Sequence, residues 1–305
     1  MTVIDWLLDS DPAIRWQVMR DLTAAPADAV AAERARVAVE GWGARLLALQ
    51  GTDGQWGGGT LFPKMLATTH SLMLLRDFGL DPESEEARRA VGLVHEHSRW
   101  EHAGQPFFEG EVEPCINGRA VTIGTYFSQD VQGIVDRLLT EQMADGGWNC
   151  DQERGSTRGS FHSTICVLEG LLEHERATGT ADTMAARLRG EEYLLERRML
   201  RRLSTGEVIH ADWIRFSFPS DYFYDVLRGL EYLRRAGVAP DDRMAEAIDM
   251  VRSRRDAAGR WPLENPHPGE LHFEIDEGEG KPSRWNTLRA MRVQRWYDGH
   301  SERST

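Results

Sequence analysis

The sequence predicts an all-α protein whose helices pair into hairpins and form an α/α toroid. Three observations support this fold class. A turn of the pattern Gln-x-x-Asp-Gly-x-Trp recurs, helical segments of two kinds alternate between the turns, and no alternating run is long enough for a useful strand. The alternation repeats in units of about 45–55 residues, which predicts about five hairpins.

Residues 1–49 are predicted to form capping helices. Asp11-Pro12 combines a carboxylate at the N-cap with a proline at the first helical position. The alanine-rich stretch 24–49 has apolar spacing and is predicted to form another helix. Because the terminal units of repeat arrays are atypical, we expect these helices to cap an array that occupies residues 50–305.

The repeated turn defines the array. Gln50–Trp56 and Gln142–Trp148 share Gln, Asp, Gly and Trp in the same positions, and Asp256–Trp261 is a third, weaker copy. The glycines favour a tight turn, and the tryptophans are expected to lock it in place.

The segments between the turns differ in polarity. Five are rich in apolar, small and aromatic residues, and they cover 67–78, 119–127, 160–172, 221–234 and 285–296. Four are charged on most faces, and they cover 82–98, 130–141, 183–199 and 241–254. Since a helix that is apolar nearly all round is buried, the first set is predicted to be inner and the second outer.

Composition excludes several classes of protein. Forty-nine acidic residues against 36 Lys and Arg give a net charge of −13, which disfavours nucleic-acid binding. Charged residues interrupt positions 1–22, so no signal peptide is expected, and no apolar run reaches the length of a transmembrane helix. Three cysteines are an odd number and predict reduced thiols in a cytoplasmic protein.

The glutamine–tryptophan turns joined by paired helices resemble the repeats of the squalene cyclase and protein prenyltransferase superfamily, over roughly residues 50–296. The resemblance implies an α/α toroid whose central cavity holds an isoprenoid chain among aromatic side chains. The Asp-x-Asp-Asp motif with which triterpene cyclases protonate their substrate is missing from this sequence. The chain is also about half as long as a two-domain triterpene cyclase. Polyene cyclisation by that route is therefore not expected.

A second resemblance is to the β-subunit of protein prenyltransferases, which binds zinc through an Asp-x-Cys element and a later histidine. The stretch 160–164, Ser-Phe-His-Ser-Thr, is similar to the helix start that carries the histidine, and Glu113-Pro114-Cys115 is similar to Asp-x-Cys. This resemblance implies a zinc ligand at His162 and another at Cys115. Cys150 has no counterpart in the family pattern.

Cys115, Cys150 and His162 are the predicted metal ligands. Zinc favours thiolate and imidazole ligands, and catalytic sites keep an open position beside three protein ligands. All three residues are expected at one mouth of the toroid, where water, substrate or Glu113 could complete the shell. One alternative is a metal other than zinc, and the other is two buried cysteines and a histidine paired with a neighbouring hydroxyl. Cys166 lies among apolar residues and is predicted to be core.

Asp221 and Tyr222 are the leading catalytic candidates. A carboxylate in a cavity of low dielectric constant has a raised pKa and can act as a general acid. The competing interpretation makes Asp221 an N-cap, since Pro219-Ser220-Asp221 precedes a predicted helix. Two further catalytic candidates are Asp151, beside Cys150, and His210, in a loop that interrupts the repeats; both could instead be solvated loop residues.

Several residues at predicted inner positions are candidates for substrate binding. The aromatic ones could stabilise carbocations through their ring faces or simply form core, and they are Tyr126, Phe161, Tyr224 and Trp285. Arg119 could hold an anionic group of the substrate or form a surface ion pair. His70 is predicted to be a core histidine with satisfied hydrogen bonds, and the polar stretch 264–281 is predicted to be a lid or a mobile loop.

These patterns predict an enzyme that acts on a hydrophobic, isoprenoid-derived small molecule inside the toroid, assisted by zinc. One alternative is a metal-free enzyme of the cyclase type that uses acid chemistry alone. The other is a non-catalytic protein that binds lipid or serves as a scaffold.

Overall fold

The computed structural model describes residues 1–301, and this part of the chain is predominantly helical. The all-α fold class is thereby confirmed. The two strands in this range, β1 (Trp261–Pro262) and β2 (Pro282–Ser283), form a short antiparallel pair. None of the helices described combines the length and the apolar composition needed to cross a membrane. The last residues of the predicted array, 302–305, lie outside the described residues.

Six helices make up what we call the central series: α2 (Pro12–Leu22), α5 (Thr68–Phe78), α7 (Pro114–Tyr126), α9 (Phe161–Thr178), α11 (Val226–Ala236) and α13 (Arg284–Ser301). The remaining helices are α1 (Val3–Leu8), α3 (Ala27–Ala35), α4 (Gly41–Leu47), α6 (Glu85–His97), α8 (Gln132–Thr140), α10 (Ala181–Glu196) and α12 (Ala245–Ser253). Each of the nine predicted inner and outer segments overlaps one of these helices.

Neighbours within the central series contact one another in order. α5 packs on α7, α7 on α9, α9 on α11 and α11 on α13. α13 then packs on α2, and α2 packs on α5, so the series of contacts returns to its start. Helices α8, α10 and α12 pack against α7, α9 and α11 respectively. The division into caps at 1–49 and an array beyond stays a prediction, although α2 takes part in this series.

Several predicted boundaries are wrong, since α7 begins before residue 119 and α9 extends beyond residue 172. Two further differences have a clear local reason. The stretch 24–49 forms two α-helices. Gly41 has a positive φ of 62°, which is incompatible with a continuous α-helix through this position. A Cβ at Gly41 would lie 2.1 Å from the carboxylate of Asp11, which accepts a hydrogen bond from Trp42 N. Helix α11 begins at Val226, because Asp225 is its N-cap and accepts from Arg228 N. Asp221 therefore lies before the helix and does not cap it.

The three repeated tryptophans tie consecutive helices together. Each is fully buried, and its indole N–H donates to a carbonyl ten residues earlier in the preceding helix: Leu46, Leu138 and Val251. Each backbone N–H donates to a threonine hydroxyl at the start of the following central helix: Thr68, Thr164 and Thr287. Because a buried indole N–H needs an acceptor, the tryptophan fixes how one helix ends relative to the start of the next.

The glutamines extend two of these turns to a third helix. Gln50 donates to the carbonyls of Gly54 and of Ala90 in α6. Gln142 donates in the same way to Gly146 and to Ala186 in α10, both at 2.8 Å. In the third turn Arg255 stands in place of glutamine, and its guanidinium lies 5.6 Å from the centre of the Trp261 ring. The repeat found in the sequence is thus a repeat of hydrogen bonds.

Asp276 makes stability depend on pH near neutrality. It accepts hydrogen bonds from Ser283 Oγ and Arg284 N at the start of α13, and burial raises its pKa to about 7 from 3.8. Between these two values the folded protein holds a proton that the unfolded chain has lost, so stability falls as pH rises. We expect this group to lower the free energy of unfolding by about 1.4 kcal/mol per pH unit in that window.

Urea unfolding at pH 5 and pH 7 measures this effect. Asp276→Asn is expected to remove the slope, whereas Asp182→Asn, at an exposed position in α10, should retain it. Equal slopes for the two variants would contradict the assignment.

Candidate functional site

Two cysteines meet where a repeated turn approaches the start of α7. Cys115 lies in the first turn of that helix, after Pro114, and Cys150 follows the turn closed by Trp148. Their sulfur atoms are 3.1 Å apart. Cys150 Sγ is also 3.2 Å from the hydroxyl of Ser163, in the first turn of α9. The turn and two helix starts therefore position the thiol pair.

Glu113 completes a group of three potential metal ligands. One of its carboxylate oxygens lies 3.6 Å from Cys115 Sγ, and one ligand atom each from Glu113, Cys115 and Cys150 lie within 4.8 Å of one another. This cluster could bind a metal ion. Two thiolates and a carboxylate suit zinc, and three protein ligands leave one position open.

The two thiols differ in acidity. The hydrogen bond from Cys115 lowers the pKa of Cys150, and the Ser163 hydroxyl lowers it further. The same contact raises the pKa of Cys115, because the neighbouring sulfur disfavours a second thiolate, and burial adds to this. Cys150 therefore ionises first and Cys115 shares its proton.

His162 lies outside this group, and its role as a metal ligand stays a prediction. Its Nδ1 accepts a 2.8 Å hydrogen bond from Tyr224 N, and its ring packs edge-on against Trp213 and Phe223. Burial lowers the pKa of His162 to about 4, and the charge of Arg228 adds to the effect. A neutral imidazole has one lone pair, and here the backbone of Tyr224 uses it. The third potential ligand in the structure is the carboxylate of Glu113.

A cavity of about 560 Å³ lies among the six helices of the central series, and every one of them contributes to its lining. Towards the starts of these helices its wall includes His70, Arg119, Phe218, Asp221 and Trp285. Towards their ends it includes Arg76, Glu173, Arg176, Arg234 and Arg235. Side chains distant in the sequence thus line one cavity, which is open to solvent on one side.

His70, Arg119 and Asp221 form a polar group in this wall, and each is at least 95 % buried. An oxygen of Asp221 lies 3.5 Å from Arg119 Nη1 and 3.8 Å from His70 Nδ1. Asp221 has a φ of +44°, a left-handed conformation that is strained for a residue with a side chain. Arg228 donates to its carbonyl at 3.1 Å and holds the loop in that conformation.

The ionisation of this group is opposite to the one predicted. Burial favours the neutral carboxyl, but the His70 imidazole and the charge of Arg119 outweigh it and lower the pKa of Asp221 to about 2. Burial lowers the pKa of His70. At neutral pH the pair is therefore a carboxylate beside a neutral imidazole, which can accept a proton but has none to donate as a general acid.

Of the other three predicted catalytic residues, Tyr222 contacts this group, and Asp151 and His210 have other partners. Tyr222 stacks under the guanidinium of Arg119, 4.6 Å from its ring centre, and its buried hydroxyl has no partner among residues 1–301. Asp151 is exposed and pairs with Arg154 at 3.0 Å. His210 is exposed, and its Nδ1 accepts from Asp212 N at the start of a short 3-10 helix.

Three of the five predicted substrate-binding residues line the cavity: Tyr126, Trp285 and Arg119. Phe161 and Tyr224 instead pack against each other at 4.8 Å between ring centres, in a buried cluster with Trp213. The Tyr224 hydroxyl donates to Met199 O.

The lining is strongly charged, unlike the aromatic cavity implied by the resemblance. It holds ten arginines (Arg20, Arg34, Arg76, Arg119, Arg176, Arg228, Arg234, Arg235, Arg289, Arg292). It also holds six carboxylates (Asp21, Asp77, Glu169, Glu173, Asp221, Glu231). Sequence reasoning missed this charge. The available signal was the arginine in or near the last turn of several central helices, which is also the ordinary distribution of basic residues along a helix.

The prediction for His70 is right about burial and wrong about hydrogen bonding. His70 is buried as predicted, but neither ring nitrogen has a hydrogen-bond partner among the described residues. A buried core histidine is normally satisfied. The useful signal is its position in the first turn of α5, which faces the cavity.

Helix α7 connects the potential metal ligands with the cavity. Arg119 follows Cys115 by four residues and so lies on the same face of the helix, one turn further on. Tyr222 lies against Arg119, and its loop carbonyl is 3.9 Å from Cys166 Sγ. A single helix therefore carries a ligand of the cluster and a charge of the cavity wall.

The predicted lid, 264–281, crosses helix starts of the central series. His267 Nε2 lies 2.9 Å from Ser217 Oγ, and His272 Nε2 lies 3.1 Å from Ser71 Oγ in α5. Its contacts thus connect segments that are far apart in the sequence.

Comparison of the chain with protein-family models gives no match, and comparison with curated proteins gives none either. The superfamily resemblance therefore depends on the repeated turns and on the helix arrangement alone.

Proposed function

We propose that this chain is an enzyme with the α/α toroid of the squalene cyclase and prenyltransferase superfamily, and that it converts a small organic molecule in the central cavity with the help of zinc. The order of helix contacts supports the toroid, because the central series closes on itself between α13 and α2. The repeated tryptophan turns support the superfamily. The proposed setting is the cytoplasm, where thiols stay reduced.

The observation that carries the proposal is the position of the Glu113–Cys115–Cys150 group, one helical turn from the cavity wall. The donor set fits zinc, since two sulfurs and a carboxylate oxygen lie within 4.8 Å of one another. When bound, zinc would supply Lewis-acid polarisation or an activated water at its open position. The metal ligands would be Glu113, Cys115 and Cys150.

The chain's own residues supply proton transfer and orientation. His70 is neutral and can accept a proton, and Asp221 faces its Nδ1 and stabilises the imidazolium that results. Arg119 fixes the carboxylate from the other side. The strained loop at Asp221 holds this geometry in advance, as expected of a site that orients reacting groups.

The metal-free alternative is less well supported. A cyclase that relies on acid alone needs a carboxyl group that keeps its proton, whereas the pKa of Asp221 is lowered to about 2. Ten arginines around the cavity would also repel a carbocation. A base therefore fits the lining better than a strong acid does, and the potential metal ligands lie one helical turn from the wall.

Metal analysis of freshly purified wild-type protein tests the proposal. We expect about one zinc per chain, and a lower unfolding temperature after treatment with a strong chelator, because a ligand bound only to the folded state stabilises it. Protein that contains no zinc after expression and dialysis in zinc-supplemented buffer would refute the metal-assisted function.

A further inference from the structure

The charge of the cavity points to its ligand. The whole chain has a net charge of −13, yet the cavity lining has ten arginines and six carboxylates, a formal excess of four positive charges. Enclosed clefts with low-dielectric walls focus such a field and attract ions of the opposite sign. An acidic protein that concentrates arginine around one cavity has a surplus of positive charge there.

Ion pairs within the protein account for only part of these arginines. Arg228 pairs with Glu169, Arg234 with Glu231 and Arg292 with Asp21. Arg76 and Arg235 share Glu173, Arg20 pairs with Asp21, and Arg119 faces Asp221. These pairs use five of the six carboxylates of the lining. The sixth, Asp77, pairs with Arg76.

Three arginines of the lining have no carboxylate within 4.0 Å in the part of the chain that the structure describes. Arg289 donates to Ser217 O and to Asn286 Oδ1. Arg34 donates to Gly79 O and Tyr126 Oη, and Arg176 donates to Arg235 O. Arg176 is exposed and Arg34 is half-buried, so solvent screens their charges, whereas Arg289 is buried and its charge remains unbalanced in the cavity wall.

The wall also presents buried donors that the protein leaves unpaired. Arg119 Nε, Arg292 Nε and Trp285 Nε1 have no hydrogen-bond partner within residues 1–301, and all three residues line the cavity. Their residues are 3 %, 7 % and 2 % exposed. A buried donor without an acceptor costs about 1–3 kcal/mol. A ligand that satisfies all of them must be rich in acceptor atoms.

We infer that the cavity binds a phosphorylated small molecule, with its phosphate held by Arg119, Arg289 and Arg292 and by the indole N–H of Trp285. A phosphate has only acceptor oxygens at its charged end and matches the forked donors of arginine. Phe218 and Trp285, stacked at 4.2 Å between ring centres, both belong to the lining and make that part of the wall apolar, as the organic part of such a ligand requires. The inference takes its location from the proposed function and specifies the class of substrate.

The alternative ligand, a wholly apolar polyene, fits this lining poorly. It would remove water from charged side chains without replacing any hydrogen bond, and buried polar groups are costly when unpaired. The volume of about 560 Å³ lies within the range of small-molecule sites. Size therefore permits either ligand, and the lining favours the anion.

Calorimetric titration of zinc-loaded protein at low ionic strength tests the inference, with phenyl phosphate and inorganic phosphate as probes and phenol as the uncharged counterpart. We expect saturable binding of phenyl phosphate that weakens as salt is added. Arg289→Met should weaken it about tenfold or more, because a charge-assisted pair is lost. Arg295→Met is the matched control: the same substitution in the same helix, at an exposed arginine outside the lining.

Trp285→Phe provides a second variant, which removes the donor and keeps an aromatic ring. If Arg289→Met does not fold, as judged by circular dichroism, the titration of Trp285→Phe with phenyl phosphate tests the inference in its place. Absence of saturable binding by both phosphates overturns the inference, and so does phenol binding as tightly as phenyl phosphate. Phosphate binding that neither cavity variant weakens also overturns it, since the anion then binds elsewhere.

Zinc content measured on the same preparations separates this inference from the proposed function. Zinc-containing protein that binds no phosphate refutes the inference alone. Zinc-free protein that still binds phosphate through Arg289 refutes the metal-assisted reaction and leaves the anion site intact.

Discussion

Cys150→Ala is expected to purify with essentially no zinc, where the wild type carries about one ion per chain. The substitution removes the more acidic thiol of the pair and leaves only Glu113 and Cys115 of the group. Two ligands are too few for a stable protein site, since catalytic zinc ordinarily keeps three. Elemental analysis after gel filtration measures the loss. Cys115→Ala should give the same result.

Cys166→Ala is the matched control, because it removes a thiol outside the group. Cys166 is fully buried in α9, and its sulfur lies near Tyr222 O and Arg228 Nη2. This variant should keep its zinc. If Cys150→Ala binds as much zinc as Cys166→Ala, the cluster is not the metal site.

His162→Ala distinguishes the two ligand sets. Zinc retained in this variant agrees with the set found in the structure, Glu113, Cys115 and Cys150. Zinc lost from it, and kept in Glu113→Ala, would instead support the set predicted from the sequence. The same elemental analysis decides between them.

Glu169→Gln is expected to lower the free energy of unfolding by about 3–5 kcal/mol, the usual effect of removing one partner from a buried ion pair. Glu169 accepts two hydrogen bonds from Arg228, at 2.9 and 2.6 Å. Arg228 in turn donates to Asp221 O and Phe223 O. The variant therefore leaves a buried guanidinium without its counter-charge and loosens the loop that carries Asp221.

The pair also predicts sensitivity to acid. Burial would raise the pKa of Glu169, but the charge and hydrogen bonds of Arg228 outweigh it and lower the pKa to about 2 from 4.5. The stabilisation is complete above pH 4.5 and is lost as pH falls towards 2. Wild type should lose stability over this range, and Glu169→Gln should lose less.

Glu192→Gln is the control for denaturant unfolding at neutral pH. Glu192 pairs with Arg243 at 2.6 Å, but both side chains are more than a third exposed. Exposed pairs contribute about 0–1 kcal/mol, so this variant should unfold nearly as the wild type does. If Glu169→Gln and Glu192→Gln lower the free energy of unfolding by similar amounts, the buried pair stabilises the fold no more than the exposed pair does.

The helical architecture followed from the sequence because its signals are local. Trp56, Trp148 and Trp261 recur at compatible offsets, and the structure gives them one shared hydrogen-bond pattern. The alternation of apolar and charged helices marks which are buried. The start of α11 was misplaced because Asp221 and Asp225 both precede it, and an N-cap is recognised by its backbone conformation.

The candidate site was harder to predict because it depends on side-chain direction. Glu113 and His162 both neighbour the cysteines, and only the hydrogen bond from Tyr224 N to His162 Nδ1 shows which one is free to bind. Arginine near a helix end is common on surfaces. Whether Arg289 points to solvent or into a cavity depends on packing between helices far apart in the chain.

The contact between α13 and α2 has a consequence for synthesis. Arg292 bonds to Gln17 and pairs with Asp21, across a separation of 275 residues for the first of these. During translation the wall of the cavity must stay open until the last helix has left the ribosome. Nascent chains would then expose the apolar sides of α2 and α5 for most of their synthesis, which makes them candidates for chaperone binding.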